Sequence, residues 1–120
     1  MTNTTAIRYE LLRDTGLRTV CGEHVDIPNL AGAAFGIHAE PLLPDGHYEK
    51  WIVTHLASGM MAGAGATPGA AIKQATANCE RNRDRLRDML DDATATRTDI
   101  QFAASQLQHN CLTTFPEKRA

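Results

Sequence analysis

Aromatic side chains are scarce in this chain: one Trp, two Tyr and three Phe among 120 residues. With 18 alanines in the apolar fraction, the composition predicts a thin core of Leu, Ile, Val, Met and Ala. Long apolar runs are missing too. No stretch approaches the roughly 20 residues that span a bilayer, and Met1–Ala6 lacks the basic segment and apolar run of a secretion signal. The expectation is a cytoplasmic protein with no membrane contact. Of cysteines there are three, Cys21, Cys79 and Cys111. Any pairing leaves one over, and no short paired spacing marks a disulfide framework, so a reduced protein is predicted. No charge sign dominates either. The net charge is −2, from seven acids and five bases before Cys79 and seven of each from there on. That is neither a basic arm nor an acidic tail, and it leaves general nucleic-acid binding with little support.

What is present suffices for one domain, since a chain of this length buries roughly two-thirds of the surface it exposes when unfolded. From Ala6 to Arg13, Ile7, Tyr9 and Leu11 alternate with Arg8 and Glu10, the period of a half-buried strand. Asp14, Thr15 and Gly16 supply turn chemistry and Leu17–Ile27 alternates again, so the two runs read as a hairpin. Pro28 and Asn29 end it. A small-residue loop leads to a third strand around Phe35, Ile37 and Ala39, closed by Pro41 and Pro44. Tyr48–Ala57 is the clearest strand. Trp51, Val53 and His55 share one face, Ile52, Thr54 and Leu56 the other, and both faces are mostly apolar, as in a central strand. Ser58 and Gly59 then turn the chain into a weak, glycine-rich return over Met60–Gly65.

Thr67 followed by Pro68 is a helix start: the hydroxyl accepts from a free first-turn N–H, and Pro suits the first helical position. Ile72, Ala75, Cys79, Leu86, Met89, Leu90 and Ala93 keep helical spacing, predicting one unbroken helix over about 68–93, polar only at Asn82 and Arg83. Thr94–Arg97 reads as a short break. Thr98 and Gln101 have capping-box spacing for a second helix over about 98–112, with Ile100, Ala103, Ala104, Leu107 and Cys111 on one face and a frayed tail from Thr114. Strands first and helices last predict a single α+β domain over residues 1–120, with strands within 6–66. Its antiparallel sheet of four to five strands packs against one long C-terminal helix, with a shorter second helix beside it. A helical hairpin leaving the sheet at Asn82 and Arg83 is the alternative.

Gly59, Gly63, Gly65 and Gly69 lie between a strand and a helix, where a phosphate loop would be. Yet Pro68 stands where the dinucleotide fingerprint needs its third glycine, and no Gly-Lys-Ser/Thr follows. The glycines read instead as room for a tight hairpin and for close sheet-to-helix packing. Five histidines and three cysteines show no four-ligand zinc spacing. Cys21 and His24 face opposite ways on a strand, and His47 and His55 would stand about 26 Å apart on a continuous one. His55 reads as a hydrogen-bonded core histidine, Ser58 as a turn residue and the cysteines as small buried hydrophobes. Asp45, His47 and Glu49 near a turn offer acid and base groups without a geometry to join them. No catalytic residue, metal ligand or cofactor is assigned.

The long helix carries the unusual surface. Glu80, Asp84, Asp88 and Asp92 recur every four residues as an acidic ridge flanked by Arg81, Arg83, Arg85 and Arg87. Spacings of three, Glu80 to Arg83, Arg81 to Asp84 and Arg85 to Asp88, allow pairing into a solvated face. Arg also recurs at interfaces because its planar fork grips carboxylates at two points, and Arg81, Asp84, Arg85, Arg87 and Asp88 form the candidate partner-binding set.

The run Trp51-Ile52-Val53-Thr54-His55-Leu56-Ala57-Ser58-Gly59 with the later Thr67-Pro68 looks like a hairpin-then-helix element of small bacterial and phage proteins. In size, mild acidity and absence of catalytic motifs the chain resembles anti-CRISPR and other anti-defence proteins of mobile elements, a likeness of type that carries no residue across. It implies stoichiometric binding to a host defence complex. Two other functions stay open: a small enzyme or ligand-binding domain using a cleft near Gly59–Gly69 and His55, and a nucleic-acid accessory protein using the four arginines. The distal helix also permits a homodimer as well as a monomer.

Overall fold

Five strands follow one another in space as they do in sequence, β1 (Ala6–Arg13), β2 (Gly16–Val25), β3 (Phe35–Ala39), β4 (Trp51–His55) and β5 (Met61–Gly65), each antiparallel to the next. Two helices complete the chain, α1 (Pro68–Arg81) and α2 (Leu86–Lys118). This is the α+β architecture, strands first and helices last. The computed structural model describes the backbone of residues 6–13 and 16–118 and the side chains of 6–12 and 16–102. Asp14 and Thr15, expected above to form a turn, therefore lie outside the described residues, and the face expected from Ala103 onward, with Cys111, lies outside the described side chains.

Alternation along the strands builds two cores, one on each side of the sheet. On the helix side Phe35 and Val53 pack with Ile27, Ala71, Ala75, Cys79, Leu86 and Leu90. Burying Phe35 and Val53, 2% and 0% exposed, contributes roughly 1.5–3 kcal/mol each. The opposite face holds Tyr9, Leu11 and Val20, with Ile7 and Leu56 against them. Tyr9 lies across Gly36, where an added Cβ would stand 2.9 Å from the Tyr9 ring. The β1–β2 hairpin curls far enough that Leu12 N–H reaches Gly59 O at 2.8 Å.

Several expectations meet corrections. The clearest strand is shorter than Tyr48–Ala57, because residues 48–50 belong to a turn that Lys50 Nζ ties down by donating to Glu40 O and Leu43 O at 3.0 and 2.8 Å. Cys21 is exposed, while Cys79 is buried as the stripe requires. The larger correction concerns the helices. The unbroken rod over 68–93 is broken at residues 82–85. Asn82 caps α1, its amide and its Nδ2 both donating to Asn78 O at 3.1 and 2.8 Å, and Asn82 O then accepts from Arg85 N–H. An Asn whose side chain competes for helix carbonyls is a poor interior residue.

The stripe itself was sound, since Leu86, Leu90 and Ala93 are buried. A straight helix over that range would run about 39 Å, while a strand of five residues spans about 17 Å. Only by breaking can the chain fold α2 back over Phe35 and Ile27 and keep Leu86 and Leu90 in the core. Conversely, the break expected at Thr94–Arg97 does not occur. Thr94, Thr96 and Thr98 hydroxyls donate to the carbonyls of Leu90, Asp92 and Thr94 at 2.8–3.1 Å, which accommodates them inside a helix. The second helix therefore starts at Leu86, not Thr98, and its backbone runs past Thr114 to Lys118.

Candidate functional site

The helix break creates an elbow in which Glu80, Arg81, Arg83, Asp84, Arg85, Arg87 and Asp88 are all exposed. α1 delivers Arg81, the turn carries Asp84 and Arg85, and the first turn of α2 carries Arg87 and Asp88. The acidic ridge does not form, because its members lie on two helices and the turn between them. Of the three ion pairs that helical spacing allows, one is made: Arg83 Nη1 to Glu80 Oε1 at 3.1 Å. Arg81 instead holds Asn78 Oδ1, and Arg85 donates to Asn82 Oδ1 at 3.3 Å. Among the described residues, Arg81, Arg85, Arg87, Asp84 and Asp88 have no ion-pair partner.

Beside the elbow runs a groove of about 630 Å³ between α2, the loop around Gly32 and the end of β4; Arg87, Asp91 and His55 are among its lining residues. The loop is rigidified by Asn29, whose Oδ1 accepts from Ala31 and Ala33 N–H while its Nδ2 donates to Ile27 O and Ala33 O. The structure thus joins Arg87 to His55, residues that sequence reasoning assigned to different functions. His55 is 5% exposed, its ring lies 5.7 Å from that of Phe35, and Nδ1 shares a 2.8 Å hydrogen bond with Ser58 Oγ. Ser58 Oγ also accepts from Met60 N–H at 3.0 Å and is wholly buried. No substrate reaches that hydroxyl, so the Ser-His pair holds the β4–β5 turn rather than presenting a nucleophile. Burial lowers the His55 pKa, and the Asp91 carboxylate across the groove opposes that shift.

A depressed histidine pKa contributes stability that is full above its unfolded value near 6.5 and is lost as pH falls from there through the folded value. Asp91→Asn should therefore lower the His55 pKa further, as read by NMR titration of its ring protons. An unchanged or higher pKa would show that Asp91 does not act on the imidazole.

A second buried polar group on the far face escaped the sequence reading. His38 Nε2 lies 3.1 Å from Glu40 Oε2, which also accepts from Arg18 Nη1 at 3.1 Å, and the Tyr9 hydroxyl stands 3.5 Å from His38 Nδ1. Burial pushes the Tyr9 phenol up to about 12. Burial alone would raise the Glu40 carboxyl, but His38 and Arg18 outweigh it and hold the pKa below its ordinary value. The signal was available: His38 and Glu40 stand two apart, hence on one face of an extended chain. Equally missed was Arg97, whose Nη1 donates to Leu56 O and Ala57 O at 3.1 and 3.0 Å and whose Nη2 meets Glu10 Oε1 at 2.6 Å. Its spacing continues the buried stripe Leu86, Leu90, Ala93, which is the clue that went unread.

Among the described residues, no group of three or more His, Cys, Asp or Glu is placed to hold a metal ion, and no helix is long and apolar enough to cross a membrane. Asp45, His47 and Glu49 lie in the β3–β4 loop without forming a joint site: His47 Nδ1 accepts from Glu49 N–H, and Asp45 lies 3.8 Å from Lys50. Set against known proteins, the chain matches no family model, no curated protein and no solved structure.

Proposed function

We propose that this is a small cytoplasmic interaction protein that docks on a larger protein through the charged elbow between α1 and α2, as a stoichiometric inhibitor of a bacterial defence complex of the CRISPR-effector kind. One observation carries the reading: the broken helix leaves Arg81, Asp84, Arg85, Arg87 and Asp88 exposed with no ion-pair partner among the described residues. A continuous helix would have let these charges satisfy one another; the elbow leaves them for a complementary surface. Both signs are present side by side, which suits a protein surface better than a run of phosphates.

The test reverses Arg81, Arg85 and Arg87 to Glu together. All three are exposed, so folding should change little, and circular dichroism checks that. The wild-type chain, expressed in a bacterium whose CRISPR system blocks a phage, is expected to restore plaque formation. The reversed chain should not, and its affinity for the purified effector should fall at least about tenfold. Equal protection by both chains removes the elbow from the reading. If both lack effect and the groove beside His55 and Arg87 binds a small anion, the ligand-binding reading takes its place.

A further inference from the structure

We propose that the outer edge of β1 is a strand-adding site for an extended, acid-bearing segment of a partner protein. The sheet has two edges, β1 and β5. Along β5, Gln74 Oε1 accepts from Ala64 N–H at 2.6 Å and Asn78 Nδ2 donates to Ala62 O at 2.8 Å. Side chains of α1 thus occupy groups that a further strand would pair with.

β1 is treated differently. The hairpin's closing pair, Arg13 with Gly16, directs the main-chain groups of odd-numbered β1 residues at β2 and those of even-numbered residues outward. Leu12 N–H, one of the outward set, is taken by Gly59 O. The outward N–H and C=O of Arg8 and the N–H of Glu10 have no hydrogen-bond partner among the described residues. They border a cleft of about 590 Å³ whose lining includes Ile7, Tyr9, Leu56, Arg8 and Arg97. Arg97 is engaged by Glu10, whereas Arg8 is exposed and meets no carboxylate among the described residues.

Strand addition draws affinity from main-chain hydrogen bonds and specificity from alternate side chains. The incoming segment therefore alternates apolar and polar residues, with Asp or Glu set across from Arg8. A second copy of this chain fits poorly. Pairing centred on Tyr9 sets Arg8 against the copy's Glu10, but brings the copy's Ala6 against Leu12, where Gly59 already sits. Pairing centred on Arg8 sets two arginines face to face.

The probe is a fluorescent peptide, Ser-Val-Thr-Val-Asp-Val-Thr-Val-Ser, titrated by anisotropy. Saturable binding is expected. Arg8→Pro deletes the outward N–H without touching a bond of the sheet, as proline permits on an edge, and should weaken binding at least about tenfold. The same peptide N-methylated at alternate residues, tested on the wild-type chain, should lose as much, which keeps the test sound if the proline variant misfolds. In the complex, hydrogen exchange at the Arg8 amide, fast in the free protein, should slow. No binding at millimolar peptide, or binding that neither the N-methylated peptide nor Arg8→Pro weakens, overturns the proposal. So does a dimer in sedimentation that Arg8→Pro dissolves, since the edge then belongs to a second copy. Reversal of the elbow charges should leave peptide binding intact, so this idea and the elbow reading fail separately.

Discussion

Substituting Gly63 with leucine should cost about 3 kcal/mol of stability or more, read as a fall in the urea midpoint. Gly63 faces α1 from β5, and a Cβ built on it would lie 2.5 Å from Ala75 N, 2.8 Å from Ala75 Cα and 2.9 Å from Ala71 O. Those are backbone atoms, which cannot rotate aside. The whole helix must lift, drawing Ala71, Ala75 and Cys79 out of the core they share with Phe35 and Val53. Close packing transmits such a displacement instead of absorbing it. Gly69 supplies the control from the same glycine series. Nothing lies within 4 Å of its added Cβ, and Gly69→Ala should stabilise the chain by about 0.5–1 kcal/mol through helix propensity and a less flexible unfolded state. Should Gly63→Leu fold with an unchanged midpoint, sheet and helix cannot be as close as described.

Replacing Arg97 with alanine is the other large effect, about 2 kcal/mol. Its guanidinium, on a side chain 20% exposed, is the bridge between α2, Glu10 of β1 and the carbonyls that follow β4. Without it two carbonyls lose a charged donor, and Glu10 keeps Gln101 Nε2 at 3.3 Å. Charge-assisted bonds in partly buried places are worth more than surface pairs. Hydrogen exchange should localise the loss, speeding amides of α2 near Arg97 and of β1 near Glu10 while leaving α1 on β5 protected. Arg97→Lys should recover little, because a single ammonium cannot span three acceptors set apart as these are. A uniform loss across the whole domain would mean that Arg97 acts on global stability and not as a clamp on α2.

The parts legible in the sequence are those governed by neighbours along the chain. Alternation in Ile7–Leu11 and in Trp51–His55 placed the strands, and Thr67 with Pro68 placed the start of α1, whose Thr67 Oγ1 does accept from Ala70 N–H at 3.1 Å. The glycines of β5 were readable as helix-packing positions because a helix start follows them almost at once; the lack of room at Gly63 and Gly65 is itself a contact with α1. His55 was readable as a bonded core residue because a strand apolar on both faces leaves a histidine no solvent. The candidate site was less legible. Arg81, Asp84, Arg85, Arg87 and Asp88 were picked for a periodicity that the folded chain interrupts, and their exposure now rests on the turn at residues 82–85.

What this sequence determined alone is the order of its elements, strands first and helices last, and most of their apolar positions, since alternation, helical spacing and capping are recorded within a few residues. The tertiary structure decided where the helical stripe had to fold back, which arginine became a clamp, and which sheet edge the side chains of α1 cover. Those depend on lengths and distances between remote segments, above all on a sheet too narrow for a straight helix that carries Cys79, Leu86 and Leu90 into one core.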